Sequence, residues 1–255
     1  MHRQQIRLTI SQQIRSRTAR QLILNMNAAM KTNMWIKICG ITNTDDAKMV
    51  SESGADAIGL NFYAQSKRFV VTGIARDIRD QLDDRIELVG VFVNSTPQEV
   101  AAITEIVSLD TVQFHGEESA DTIADFQKLA GDVNIIRAFR VGPDGFAAVD
   151  RALQELANAG ITLRAVLLDA YKPGEYGGTG HQIAPELVRD WIKNSTATLP
   201  PVILAGGLNP ENVKDAVSIA RTWGIDTASG VEMEPGRKCS QKTPFFVSRA
   251  RSAGD

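Results

Sequence analysis

Cysteine and histidine are scarce in this chain of 255 residues, and their positions exclude whole classes of chemistry. The two cysteines, Cys39 and Cys239, stand 200 residues apart and form no CxxC pair. That excludes a disulfide framework and points to a reducing, cytoplasmic setting. The three histidines, His2, His115 and His181, show no ligand spacing, so no metal is expected. No run approaches the roughly 18 apolar residues of a membrane-spanning helix. A basic excess is missing too: the formal net charge is -2, which argues against a nucleic-acid partner. The composition also excludes collagen, coiled coil and wholesale disorder. What is present, 43% hydrophobic residues over this length, is enough for a core without covalent staples.

Acidic residues are absent from one stretch. Residues 1–33 carry Arg3, Arg7, Arg15, Arg17, Arg20 and Lys31 with no Asp or Glu. That is +6, so the remaining 222 residues carry -8. An Arg- and Ser-containing, acid-free start superficially matches an organelle transit peptide. The alternatives are a disordered arm or a start at Met26, Met30 or Met34. The expectation is a basic extension over 1–33 and one catalytic domain over 34–255.

From Trp35 onward, eight short apolar runs recur. They are Trp35–Cys39, Ala57–Phe62, Leu88–Val93, Thr111–His115, Ile135–Phe139, Ala165–Asp169, Val202–Ala205 and Gly224–Ser229. Nearly continuous rather than alternating, they read as strands covered on both faces by helices. Helical stretches lie between them. Thr42 or Asn43 can cap a helix that Gly54 ends. Thr96 precedes Pro97 at a first helical position. Asn209 and Pro210 repeat that signal, and Ala147–Gly160 is amphipathic. Eight β–α units in about 220 residues is the arithmetic of a (β/α)8 TIM barrel. A doubly wound sheet is the alternative.

In such a barrel, reactive groups come from the C-terminal strand ends. The sequence places Cys39 there on strand 1, where a nearby cation and helix N-terminus would lower a thiol pKa. Asp169 follows three apolar residues on strand 6, an expensive place for a carboxylate without a partner. Gln113 and His115 share one face of strand 4 by the period of two. Arg68, on the loop after strand 2, offers a planar fork suited to a carboxylate. Three glycine-bearing loops follow the last strands: Gly177 and Gly178, Gly206 and Gly207, and Ser229 with Gly230. Loops after strands 7 and 8 commonly bind phosphate in these barrels.

Seven strings carry these residues in barrel order. They are Lys37–Thr42 (KICGIT), Ser66–Arg68, Val112–Gly116, Leu167–Asp169, Glu175–Gly180 (EYGGTG), Ala205–Val213 and Ser229–Glu232. Together they resemble the phosphoribosylanthranilate isomerase family of tryptophan biosynthesis, over the whole chain from about Met34. The resemblance implies an Amadori rearrangement without metal or cofactor, on a phosphosugar substrate, by a monomer or homodimer. It also implies Cys39 as general base, Asp169 as general acid, Arg68 as carboxylate partner and the glycine loops as phosphate grip.

Two positions depart from the family pattern. Asn61 stands where an apolar residue is more usual, and Cys239 where Asp is usual. If that Asp caps the last helix, Ser240 is placed to take over. The histidine-pathway isomerase runs the same rearrangement with aspartates on strands 1 and 5. Here those strands end in Cys39 and in Phe139–Arg140. A phosphate-binding barrel without catalysis would have no use for both Cys39 and Asp169.

Overall fold

Each of the eight apolar runs becomes a strand in the computed structural model, which describes residues 34–82, 85–142, 145–170 and 183–253. The strands are β1 Trp35–Cys39, β2 Ala57–Asn61, β3 Glu87–Phe92, β4 Thr111–Phe114, β5 Asn134–Val141, β6 Ala165–Ala170, β7 Val202–Leu204 and β8 Gly224–Thr227. All pair in parallel and in chain order, and β8 closes on β1. The helices among the described residues are α1 Thr44–Glu52, α2 Thr72–Gln81, α3 Pro97–Val107, α4 Ala120–Ala130, α5 Ala147–Asn158, α6 Pro185–Asn194, α7 Val213–Ala220 and α8 Lys242–Ala253. None of them is long and apolar enough to cross a membrane.

Local chemistry sets the helix starts. Asn43 Oδ1 accepts the Asp46 N–H at 2.8 Å and caps α1. Thr96 and Glu99 form a reciprocal capping box on α3, with Pro97 in its first turn. Gly54 leaves α1 at φ +84, a conformation cheap only for glycine. One start differs from expectation: α7 begins at Val213, not Pro210. Asn209 Oδ1 instead takes the N–H groups of Glu211 and Asn212, at 2.9 and 3.1 Å. That local turn competes with helix, and the first helical bond is Val213 N–H to the Asn209 carbonyl.

Alternation along each strand divides the core in two. Outward residues such as Ile36, Ile38, Ile58, Leu60, Leu88 and Val112 pack under the helices. Inward residues Trp35, Ala57, Val89, Ile136, Leu167 and Ile203 fill the lower barrel. Trp35 stacks on Trp223 with ring centres 5.1 Å apart. Its Nε1 donates to Glu87, which also receives Arg164. These groups floor the barrel at the N-terminal end of β1. The register sets Trp35 opposite Gly224, Lys37 opposite Asp226, and Cys39 opposite Gly59. On β1, Trp35, Lys37 and Cys39 therefore climb one inward face toward the C-terminal mouth. After β8 the chain makes a 3-10 turn at Ser229–Val231, then a hairpin of β9 Glu232–Glu234 and β10 Arg237–Lys238.

Candidate active site

One cleft at the C-terminal mouth gathers Cys39, Arg68, His115, Asp169, Gly206, Gly207 and Ser229. Asn61, Asp226 and Thr227 also line it. Gln113 is fully buried on the same inward face as His115, two residues before it. Its Nε2 lies 2.8 Å from His115 Nδ1. With the amide so oriented, Gln113 donates, and His115 Nε2 carries hydrogen toward Asp169. The gap to Asp169 Oδ2 is 3.6 Å, longer than a hydrogen bond. The other carboxylate oxygen accepts the Ala170 N–H at 2.8 Å. Gly177 and Gly178 lie outside the described residues.

Arg68 reaches the cleft across Gly40. A Cβ on Gly40 would stand 2.4 Å from Arg68 Cδ, and Gly40 holds φ +78. The guanidinium forks onto Glu232: Nε donates to Oε1 at 2.8 Å and Nη2 to Oε2 at 2.7 Å. That side-on grip leaves the Nη1 end of the fork facing outward from the pair. Glu232 also receives Lys238 Nζ at 2.7 Å. Burial raises the Glu232 carboxyl pKa, but the hydrogen bonds and charges of Arg68 and Lys238 outweigh it, so the net pKa is lowered. Lys238 shifts downward, because burial outweighs its carboxylate partner. The hairpin carrying both residues is tied back to β1 and α1. Thr42 Oγ1 donates to the Gly236 carbonyl at 2.6 Å, and Asp46 accepts the Lys238 N–H at 2.8 Å.

Cys39 departs from expectation. Its pKa is raised, not lowered: burial disfavours the thiolate more than the nearby lysines favour it. Lys37 and Lys238 pull downward, while Asp226 pushes up. The thiol fits because β2 presents Gly59 opposite; a Cβ there would stand 2.6 Å from Sγ.

The opposite wall comes from the turns after β7 and β8. Gly206 and Gly207 both take positive φ, at +86 and +62. Asn212 Nδ2 donates to the Gly207 carbonyl at 3.0 Å, and Thr227 Oγ1 to the Leu208 carbonyl at 2.6 Å. Gly230 stands behind this wall rather than in the cleft. A Cβ there would lie 1.9 Å from the Leu208 carbonyl oxygen, so glycine alone lets the two turns meet.

Comparison with known proteins gives the family. Residues 36–249 match the family model described as N-(5'-phosphoribosyl)anthranilate (PRA) isomerase. The chain belongs to the phosphoribosylanthranilate isomerase family. The relative of that name from Chlorobium phaeobacteroides is 44% identical over 220 residues, covering 86% of this chain and 98% of its own. The solved isomerase from Thermotoga maritima superposes with TM-score 0.72 at 34% identity, covering 86% of this chain and 99% of that one. Another solved isomerase holds reduced 1-(o-carboxyphenylamino)-1-deoxyribulose 5-phosphate; it gives TM-score 0.68 at 33% identity over 86% of this chain and 99% of that one.

In this isomerase both departures from the family pattern have a physical role. Asn61 points inward, donates to Ser66 Oγ at 3.1 Å and accepts the Tyr63 N–H at 2.9 Å. Ser66 Oγ accepts the Arg68 N–H at 3.1 Å, so Asn61 braces the loop that carries Arg68. At the start of α8 the expected substitute, Ser240, is not needed. The Cys239 sulfur accepts the backbone N–H groups of Lys242 and Gln241, which lower its pKa. Sulfur thus keeps an acceptor at the helix N-terminus where carboxylate is usual.

Sequence reading missed four charged groups of the site: Lys37, Asp226, Glu232 and Lys238. Glu232 was visible only as the residue after Ser229–Gly230–Val231. A larger groove, about 690 Å³, lies on the outer face beside α5 and α6, lined by Phe146, Leu153, Trp191 and Pro200. It receives none of the strand-end residues, which gather in the smaller cleft instead.

Proposed function

We propose that this isomerase moves two protons in succession on N-(5-phosphoribosyl)anthranilate, with Asp169 as acid and Cys39 as base. The product is 1-(2-carboxyphenylamino)-1-deoxyribulose 5-phosphate, a step of tryptophan biosynthesis. One observation carries the residue assignment: Cys39 on β1 and Asp169 on β6 face the same cleft from different sides. Asp169 gives its proton to the furanose ring oxygen. The C1–O bond breaks, and the nitrogen lone pair closes a protonated Schiff base. The Cys39 thiolate then takes the C2 proton. The released pair forms C1=C2, and the iminium pair returns to nitrogen as an enolamine. Loss of the enol proton and gain of one at C1 give the ketone.

The substrate is anionic at both ends. The open end of the Arg68 fork suits the anthranilate carboxylate. The turns at Gly206, Gly207 and Ser229 suit the phosphate, and the family resemblance assigns Gly177 and Gly178 to the same grip. Gln113 and His115 line the wall between. Two fixed ends leave little freedom at the reacting carbons, where geometry lowers the barrier most. A basic extension at 1–33, outside the catalytic domain, and a cytoplasmic setting belong to the same reading.

The test is a pair of isosteric variants assayed by loss of substrate fluorescence. Cys39→Ser leaves a base that is almost never ionised near neutrality, and Asp169→Asn cannot donate a carboxylic proton. Each lowers kcat by about 10²–10⁴-fold, the usual worth of one acid–base group, with KM within a few-fold. A serine variant with near wild-type kcat would remove Cys39 from the mechanism.

A further inference from the structure

Between the packed lower barrel and the cleft lies a buried ion pair. Lys37 is fully buried, and its Nζ lies 2.8 Å from Asp226 Oδ1. Burying such a pair costs several kcal/mol per ion, and apolar residues of similar volume often do as well or better. Packing therefore does not explain the pair. Its position does. Lys37 precedes Cys39 by two residues on the same inward face, directly beneath the thiol. The ammonium is held as an ion pair by Asp226 and lies within hydrogen-bonding reach of the Cys39 sulfur.

We propose that Lys37, anchored by Asp226, is a positioning residue for the reaction: its ammonium lies beneath Cys39 and stabilises the thiolate that removes the C2 proton. This rests on Cys39 being the base. The groups that face the sulfur support it. From β1 comes Lys37, from β8 Asp226, from β10 Lys238, and from the loop after β2 Arg68. His115 and Asp169 share the cleft. Lys238 is committed to Glu232 and to the Ala228 carbonyl, and Arg68 to Glu232. Among the lysines, Lys37 has the stronger pull on the thiolate, and it outweighs the opposing push of Asp226. Lys37 itself keeps its proton: burial lowers its pKa, but Asp226 and Cys39 more than restore it. The ammonium is thus a fixed charge and the thiol the titrating group.

The test removes both charges together, because Lys37→Met alone strands Asp226 in the core. A Cys239→Ser background leaves a single thiol. In it, Lys37→Met/Asp226→Asn and Lys37→Gln/Asp226→Asn are compared with the parent, the second pair retaining polar groups without charge. Thiolate is followed by ultraviolet absorbance and by the pH dependence of iodoacetamide alkylation. Both pairs should raise the thiol midpoint by about one pH unit, tenfold less thiolate at any pH below it. Since kcat needs thiolate, its acidic limb should move to higher pH by the same amount, with KM within a few-fold. A purely structural role would lower the melting temperature and leave the midpoint in place. An unchanged midpoint overturns the proposal, and if Cys39→Ser still abolishes turnover the base assignment survives it. A midpoint that moves while the kcat limb stays overturns the base assignment and the proposal with it.

Discussion

Replacing Glu232 by Gln separates what holds the site together from what it does. The carboxylate receives two bonds from Arg68 and one from Lys238, all at 2.7–2.8 Å. Its side chain is 5% exposed, Lys238 is 0% and Arg68 15%, so water can compensate little. Stripping one partner from a buried pair typically costs about 3–5 kcal/mol. An amide oxygen at the Oε1 position still faces Arg68 Nε, Lys238 Nζ and the Gly236 N–H and loses only the Nη2 bond, which restores about 1 kcal/mol. The net loss should be about 2–4 kcal/mol, or roughly 4–16 °C in Tm for a domain of this size. Arg68 also loses its bidentate grip, so KM should rise about tenfold, ~1.4 kcal/mol of binding. Adding Lys238→Met removes the stranded ammonium. That double variant should recover much of the Tm and none of the KM. The pH dependence has a definite sign. Glu232 has a lowered pKa in the fold, so its contribution is fully present above the ordinary carboxyl value of 4.5. It is lost as pH falls through the lowered value, and the Tm gap to the Gln variant should close there. Calorimetry from pH 3 to 8 and steady-state kinetics measure both effects. A Gln variant with wild-type Tm and KM would refute the argument that Glu232 orients Arg68.

Three other changes test the close approaches. Gly59→Ala puts a methyl 2.6 Å from Cys39 Sγ; overpacking of this kind costs about 1–3 kcal/mol, and displaced sulfur should lower kcat more than it raises KM. Gly230→Ala meets a backbone oxygen at 1.9 Å, so the two turns must part; KM should rise and inorganic phosphate should lose its competition with substrate. Wild-type phosphate inhibition in that variant would detach Gly230 from the phosphate end. Deleting residues 1–33 should leave Tm and kcat unchanged, and a large drop in either would show that the extension supports the catalytic domain.

The barrel was legible because each strand is hydrophobic on both faces and several helices announce their starts. Asn43, Thr96 and Pro97 are local signals, and local signals survive in a linear reading. Cys39, His115 and Asp169 were legible for the same reason, as polar residues ending apolar runs. Lys37 was not. Inside the string Trp35–Ile36–Lys37–Ile38–Cys39 it looks like any polar residue in a strand. Only barrel closure brings Asp226 beside it, from 189 positions away. Arg68 was found, but its holder Glu232 lies 164 residues later, after a 3-10 turn with no periodic pattern. The direction of the Cys39 shift was misread because sequence shows neighbouring cations and not the loss of water around sulfur. The start of α7 was misplaced because the Asn209 side chain has two uses, cap and turn, and the sequence does not choose between them.

Strand β1 carries three duties at a spacing of two: Trp35 in the floor, Lys37 in the buried ion pair, Cys39 at the mouth. It is held in register by β2 on one side and β8 on the other. The consequence concerns insertions and deletions rather than substitutions. One residue added between Trp35 and Cys39 would turn every later side chain to the opposite face. Ile36 or Ile38 would point at the substrate, and the thiol would be lost among the helices. The outer helices and the loops between them can change length without turning this face, but these five residues cannot. Length, as much as identity, is what this strand has to keep.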